Sequence, residues 1–256
     1  TTHIEDQEQV KNCLKKITLS GKHLLGLIND VLDMSKIESG KMTLTAELVS
    51  LKEVIEGCVG IVQTQVREKG QNFNVHIDNI DSEDVYCDSV RLNQVLLNLL
   101  SNAVKYTQEG GTIQLLLYQE DAPAEKGDAY VRTHVIVKDN GIGMTAQFLE
   151  HIFDSYSRAD SKRVHKTEGA GLGMAITKYI VDAMEGNITV TSEPDRGSEF
   201  HVTLDLEKAT TQETNMVLPA WKMLVVDDDK ELCRATVEAL ESIGIQAEST
   251  LSGKKA

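Results

Sequence analysis

Short stretches in which apolar and polar residues alternate recur between residues 42 and 206, and this alternation limits the folds open to the chain more than any other feature. "KMTLTAEL", "QNFNVHI", "GTIQLLLY", "AYVRTHVIVKD", "NITVTSE" and "EFHVTLDL" each carry it. A period of two marks a strand with one face covered and the other wet. Between them, residues 51–69, 91–106 and 172–184 carry the spacing of amphipathic helices. So few helices can cover only one face of such a sheet. The predicted architecture is a two-layer α/β sandwich over residues 42–206. The acid- and turn-rich "YQEDAPAEKGDAY" reads as a loop linking two of its strands.

The flanks differ in character. Over residues 6–39, Val10, Leu14, Ile17, Gly21, Leu24, Ile28, Val31 and Ser35 advance by alternating steps of four and three, and Leu25 and Leu32 widen the stripe. This spacing predicts one long helix of a coiled coil or bundle, because a lone helix cannot hide such a stripe. Its cover is an earlier helix, a second copy, or the domain that follows. Residues 207–220, "EKATTQETNMVLPA", read as a polar linker. Residues 221–256 then read as a buried strand, an amphipathic helix and the start of a second strand, too little for an independent doubly wound domain. The expected organisation is therefore 1–41, 42–206, 207–220 and 221–256.

The formal net charge of -14 argues against a nucleic-acid surface while leaving a local anion pocket open. Cys13, Cys58, Cys87 and Cys233 form no CxxC pair and read as reduced structural thiols of a cytoplasmic protein. No apolar run reaches the ~18 residues a membrane helix needs. The polar opening "TTHIEDQEQV" has no initiating methionine, so the chain is expected to be a piece of something longer, with membrane anchoring of that parent left open.

Chemistry concentrates in the middle segment. In "RLNQVLLNLLSNAVKYT", Asn98 and Asn102 lie one turn apart on a helix that is otherwise mostly apolar. Buried amides are costly unless they satisfy backbone or line a polar cavity. Their oxygens suit a hydrated Mg²⁺ that bridges phosphates, and Lys105 can reach a phosphate as a point charge. In "KDNGIGM", Asp139 closes an apolar strand and can accept a proton from an exocyclic amine, while Gly141 and Gly143 permit close approach. Taken alone, this stretch is equally a tight turn. "TEGAGLGM" places Gly169, Gly171 and Gly173 before a helix, where open backbone N–H groups can cradle phosphate. It is neither a Walker loop nor a good dinucleotide fingerprint. The stretch between the glycine clusters, with Arg158, Lys162, Arg163 and Lys166, reads as a lid or as an ordinary surface loop.

Taken together, these motifs resemble the ATP-binding catalytic domain of sensor histidine kinases, within the group that includes gyrase, heat-shock chaperones and mismatch-repair ATPases. "NLLSNAVKYT" resembles the N box, "DNGIG" and "GAGLG" the two glycine boxes, "FDSY" the phenylalanine box, and "DRGSEFHVTL" the closing strand pair. "SGKHLLGLINDVLDMSKIESGKM" resembles the second helix of the dimerisation domain, and "MLVVDDDKEL" the first strand of a receiver domain. The resemblance implies a hybrid histidine kinase that passes the γ-phosphate of Mg-ATP to a histidine and onward to a receiver aspartate, as a homodimer. It implies Mg²⁺ binding by Asn98 and Asn102, and phosphate and nucleotide contacts by Lys105 and Tyr106. Asp139 would hold the adenine amine, and Gly141, Gly143, Gly169, Gly171, Leu172 and Gly173 would line the site. Asn98 and Lys105 would carry the catalytic role, and Asp227 and Asp228 would be a receiver's Mg²⁺ pair.

One departure matters. No His-Glu-x-x-Thr/Asn-Pro motif occurs, and His3, His23, His76, His134, His151, His165 and His201 all sit in other contexts. The phosphoacceptor histidine is thus expected to be missing from this chain, and so is the receiver aspartate, which by the same resemblance sits after a third receiver strand that the chain lacks. A self-contained ATPase of the same superfamily and a non-catalytic dimerisation scaffold remain as alternatives. An amide at position 98, where hydrolytic relatives place a water-activating glutamate, argues against the first.

Overall fold

The computed structural model describes residues 7–157, 171–209, 222–227, 229–242 and 246–252. The chain forms two compact units, Thr1–Ala209 and Thr210–Ala256. The first unit opens with α1 (Gln7–Glu38), followed by β1 (Glu47–Ser50), α2 (Leu51–Glu68), β2 (Asn72–Asp78), β3 (Asp84–Cys87) and α3 (Ser89–Tyr106). Then come β4 (Thr112–Asp121), β5 (Tyr130–Asp139), α4 (Ala146–Leu149), α5 (Gly173–Ala183), β6 (Asn187–Glu193) and β7 (Gly197–Lys208).

The sheet runs β1-β3-β7-β5-β4-β2, with β6 also paired to β7. The β2–β4 pair is parallel and every other pairing in this sheet is antiparallel. Along β5, Val131, Thr133, Val135, Val137 and Asp139 point to the covered face, and the even-numbered residues point away. Leu96, Leu99 and Leu100 of α3 and Ile176 and Ile180 of α5 are fully buried with Ile113, Leu115 and Leu204 of the sheet. The two-layer α/β sandwich expected from the alternation is the fold observed, with a long helix before it.

Two local readings change. "KMTLTAEL" is strand only from Glu47; residues 41–46 have no regular structure. The reason is the partner: β3 is four residues long and offers pairing only to Glu47–Ser50. The sequence reading missed β3 itself, because "DVYC" buries only Val85 and Cys87 and is too short to show a period.

The C-terminal part of α1 packs on the sandwich through Met34 and Ile37. Its Asp33 accepts hydrogen bonds from Arg91 (2.9 Å) and Gln94 (2.9 Å) of α3. Further towards its N-terminus the stripe is uncovered: Leu14, Ile17, Leu24, Leu25, Ile28, Val31 and Leu32 are 47–67% exposed.

In the second unit, β8 (Lys222–Val226) and β9 (Gln246–Thr250) pair in parallel, with α6 (Lys230–Ser242) between them. This is a βαβ unit. Asp229 caps α6, its carboxylate accepting from Leu232 N at 3.2 Å. The last acid of "DDD" thus has a structural task. Asp227 follows β8 directly and accepts from Asp229 N at 2.8 Å. Asp228 lies outside the described residues.

Candidate nucleotide-binding site

Both ends of α3 are fixed. At its start Asp88 is the N-cap: Oδ1 accepts from Arg91 N and Oδ2 from Thr45 N, both at 3.0 Å. At its end the last carbonyls are satisfied from the α2–β2 turn. Lys69 Nζ donates to the carbonyls of Val104 (2.7 Å) and Lys105 (3.0 Å). Gln71 Nε2 donates to those of Val104 (3.0 Å) and Thr107 (2.7 Å). A cation over orphan carbonyls also complements the helix dipole. The sequence reading missed this clamp, because nothing local announces a contact across more than thirty residues.

Between these anchors, both amides face α5. Asn98 Nδ2 donates to the Gly173 carbonyl and to Thr177 Oγ1, each at 3.2 Å. Asn102 Nδ2 lies 3.3 Å from Met174 Sδ. With the nitrogens taken, the oxygens are the atoms that can serve a cation. Thr177, 0% exposed on an otherwise apolar helix face, is a partner the sequence reading did not single out. Its signal was a hydroxyl in the middle of a buried stripe. Helix α5 begins at Gly173 with Leu172 at its N-cap position and no side-chain cap, so its first N–H groups are left to other acceptors.

Lys105 Nζ lies 4.9 Å from the centre of the Tyr106 ring, a cation–π distance. The Tyr106 carbonyl accepts from Ile142 N at 3.3 Å, which joins the end of α3 to the loop after β5. Asp139 ends β5 and is 8% exposed; its Oδ1 accepts from Gly141 N at 2.8 Å. Burial pushes its carboxyl above the usual range, opposed by backbone hydrogen bonds from Gly141 and Ser198.

The glycines have a more specific cause than open space for a ligand. A Cβ at Gly141 would lie 2.5 Å from the Tyr106 carbonyl oxygen. At Gly143, with φ of +60°, it would lie 1.9 Å from the Glu193 carbonyl oxygen. Chain packs against chain here. Gly171, at φ +74°, lies against the Ser157 carbonyl, and its own carbonyl accepts from Tyr156 N at 3.0 Å. The structure therefore brings Asn98, Asn102, Lys105, Tyr106, Asp139, Gly141, Gly143, Gly171, Leu172 and Gly173 into one run of contacts across α3, the end of β5 and the start of α5. Gly169 and the basic stretch with Arg158, Lys162, Arg163 and Lys166 lie outside the described residues.

Known proteins resemble this chain in sequence and fold. The family described as "Histidine kinase-, DNA gyrase B-, and HSP90-like ATPase" matches residues 87–208. The chain is 35% identical over 210 residues to the autoinducer 2 sensor kinase/phosphatase LuxQ of Vibrio vulnificus (strain YJ016), covering 82% of this chain and 24% of that protein. It is 32% identical over 250 residues to the aerobic respiration control sensor protein ArcB of Escherichia coli (strain K12), covering 95% of this chain and 31% of that protein. The chain thus spans less than a third of the length of either. Among solved structures, full-length ShkA in complex with AMPPNP superposes with a TM-score of 0.64 at 25% identity, over 96% of this chain and 49% of that one. No described helix is long and apolar enough to cross a membrane. Residues 87–208 of the sandwich thus belong to the histidine kinase-, DNA gyrase B- and HSP90-like ATPase family, in a chain homologous to part of the sensor proteins LuxQ and ArcB.

Proposed function

We propose that this domain binds Mg-ATP between α3 and α5 and positions its γ-phosphate for transfer to a histidine side chain. The observation that carries the reading is the pair of amides on α3 tied by their nitrogens to the uncapped start of α5. That donor set fits the group: neutral amide oxygens would suit a Mg²⁺ that keeps most of its water. Bound Mg²⁺ supplies charge neutralisation on the phosphates. Asn98 and Asn102 would hold it, Lys105 and Tyr106 would contact phosphate and nucleoside, and Asp139 would accept from the adenine amine. The N–H groups at Gly171, Leu172 and Gly173, with Gly169 before them, receive phosphate oxygens, and Gly141 and Gly143 set the loop beside the base. Asn98 cannot act as a general base, so the pocket favours a protein acceptor over water.

In the same reading the exposed stripe of α1 pairs with a second copy, giving a homodimer. The βαβ unit is receiver-like, with Asp227 and Asp228 as its Mg²⁺ pair. The parent passes phosphate from histidine to a receiver aspartate. The test is calorimetric titration of the chain with a non-hydrolysable ATP analogue, with and without Mg²⁺, beside Asp139→Ala. Magnesium-dependent binding lost in the variant supports the reading; no binding by the intact chain overturns it. The chain alone is expected to form no acid-labile phosphohistidine, and its appearance would sink the missing-acceptor reading.

A further inference from the structure

The outer face of the sheet, away from the helices, carries a side-chain cluster that the nucleotide site does not use. Tyr118 of β4 pairs with His134 of β5, which pairs with Thr203 of β7, and His201 lies two residues along β7 on the same face. Nδ1 of His134 is 2.8 Å from Nε2 of His201. The Thr203 hydroxyl lies 3.4 Å from the first nitrogen and 3.5 Å from the second. Tyr118 stacks on the His134 ring, centroids 4.5 Å apart and planes 7° apart, and so fixes its plane. The remaining nitrogen of His134, Nε2, is buried and has no aligned hydrogen-bond partner, although Glu120 Oε1 is 3.1 Å away. The short distance and the missing bond agree if the carboxylate sits off the N–H axis.

Two imidazoles that meet nitrogen to nitrogen can present two lone pairs to a borderline metal ion once the hydrogen between them has moved to an outer nitrogen. We propose that His134 Nδ1 and His201 Nε2 chelate a divalent transition-metal ion of the Zn²⁺ or Ni²⁺ class. The Thr203 hydroxyl and water complete its shell, and Glu120 orients the outer nitrogen of His134. Metal–nitrogen bonds of about 2.0–2.1 Å at a near-tetrahedral angle put the nitrogens roughly 3.3 Å apart and the ring centres about 5 Å apart. The rings here are 2.8 Å apart at the nitrogens and 5.0 Å apart at their centres. Ion entry therefore needs a pivot of the rings, not a separation of strands.

The proton balance is simple. With Nε2–H of His134 beside Glu120, the hydrogen between the rings belongs to His201 Nε2. On metal binding it moves to His201 Nδ1 through solvent, so no net proton leaves the pair. A carboxylate on the outer nitrogen of a ligating histidine is a common orienting arrangement. Among the described residues no three His, Cys, Asp or Glu converge on one point, so this is a two-imidazole chelate and weaker than a structural zinc site.

The test is a Zn²⁺ titration of the nucleotide-free chain by calorimetry, with imidazole ring signals followed by NMR. The expected result is one site at which the His134 and His201 signals shift together. Its affinity falls at least about tenfold in His201→Gln, which keeps a hydrogen bond to His134, and by about tenfold in Glu120→Gln. His134→Ala is avoided because that residue is 7% exposed and its loss threatens folding. Unchanged affinity in His201→Gln, shifts confined to other histidines, or no binding by the intact chain would each overturn the proposal and leave the pair a hydrogen bond only.

Discussion

A methyl group at position 197 would sit inside the backbone of β5. The Cβ would lie 1.9 Å from the Asp139 carbonyl oxygen, and φ there is +96°. Gly197 thus seats the turn between β6 and β7 against the strand end that carries Asp139, as Gly143 does from the other side. Gly197→Ala combines strain with a backbone clash and should cost about 2–5 kcal/mol, read by urea denaturation. A loss below about 1 kcal/mol would mean that the turn relaxes freely. Asp139 predicts the opposite pattern. Its pKa is raised in the folded chain, so its favourable contribution is present below the unfolded value and is lost as pH rises through the folded one. At pH 7 its charge therefore weighs against folding. Asp139→Asn is expected to melt at the same temperature or higher at pH 7, with the advantage shrinking towards about pH 4. Nucleotide affinity should fall roughly 10- to 100-fold, the value of a hydrogen bond to a charged group. A variant that binds normally but melts early would make the carboxylate structural.

At the scale of elements, α3 was readable because its apolar spacing, its amides and its terminal Lys-Tyr all lie within eighteen residues. The alternation likewise showed β4, β5, β6 and β7, whose core-facing residues alternate with wetter ones. What was hidden is non-local. Neither β3 nor the clamp of Lys69 and Gln71 has a sequence period, and Thr177 gains meaning only from Asn98 on another helix. The glycines of "DNGIG" were visible, but the carbonyls that require them come from Tyr106 and Glu193. The start of α3 is the clearest test of how such long-range ties hold the site. Asp88 caps the helix with one oxygen and fastens residue 45 with the other. Asp88→Ala should cost about 1–2 kcal/mol by chemical denaturation, more than Asp88→Asn, which keeps a capping acceptor. Equal losses would assign the effect to charge rather than to capping.

For the first unit as a whole, the junction of α1 with the sandwich rests on few polar groups, and two neighbouring acids there pull in opposite directions. Arg91 and Asp33 pair at 2.9 Å with side chains only 16% and 13% exposed. Burial alone would raise the Asp33 carboxyl, but hydrogen bonds from Arg91 and Gln94, with the charges of Arg91 and Lys36, outweigh it and hold the pKa below the usual value. Asp30, one turn away, is raised by burial and then by Asp33. A lowered pKa stabilises the docked helix above the unfolded value and is lost as pH falls through the folded one. A raised pKa does the reverse, so the ionised Asp30 opposes docking at neutral pH. Asp33→Asn should therefore loosen α1 at pH 7 and Asp30→Asn should tighten it, read as faster and slower amide exchange in residues 28–38. The Asp30→Asn difference should vanish below about pH 4, whereas the Asp33→Asn difference should persist until pH falls through the lowered Asp33 value. If Asp33→Asn exchanges like the parent at pH 7, the apolar contacts of Met34 and Ile37 alone hold the helix, and the ion pair only sets its register.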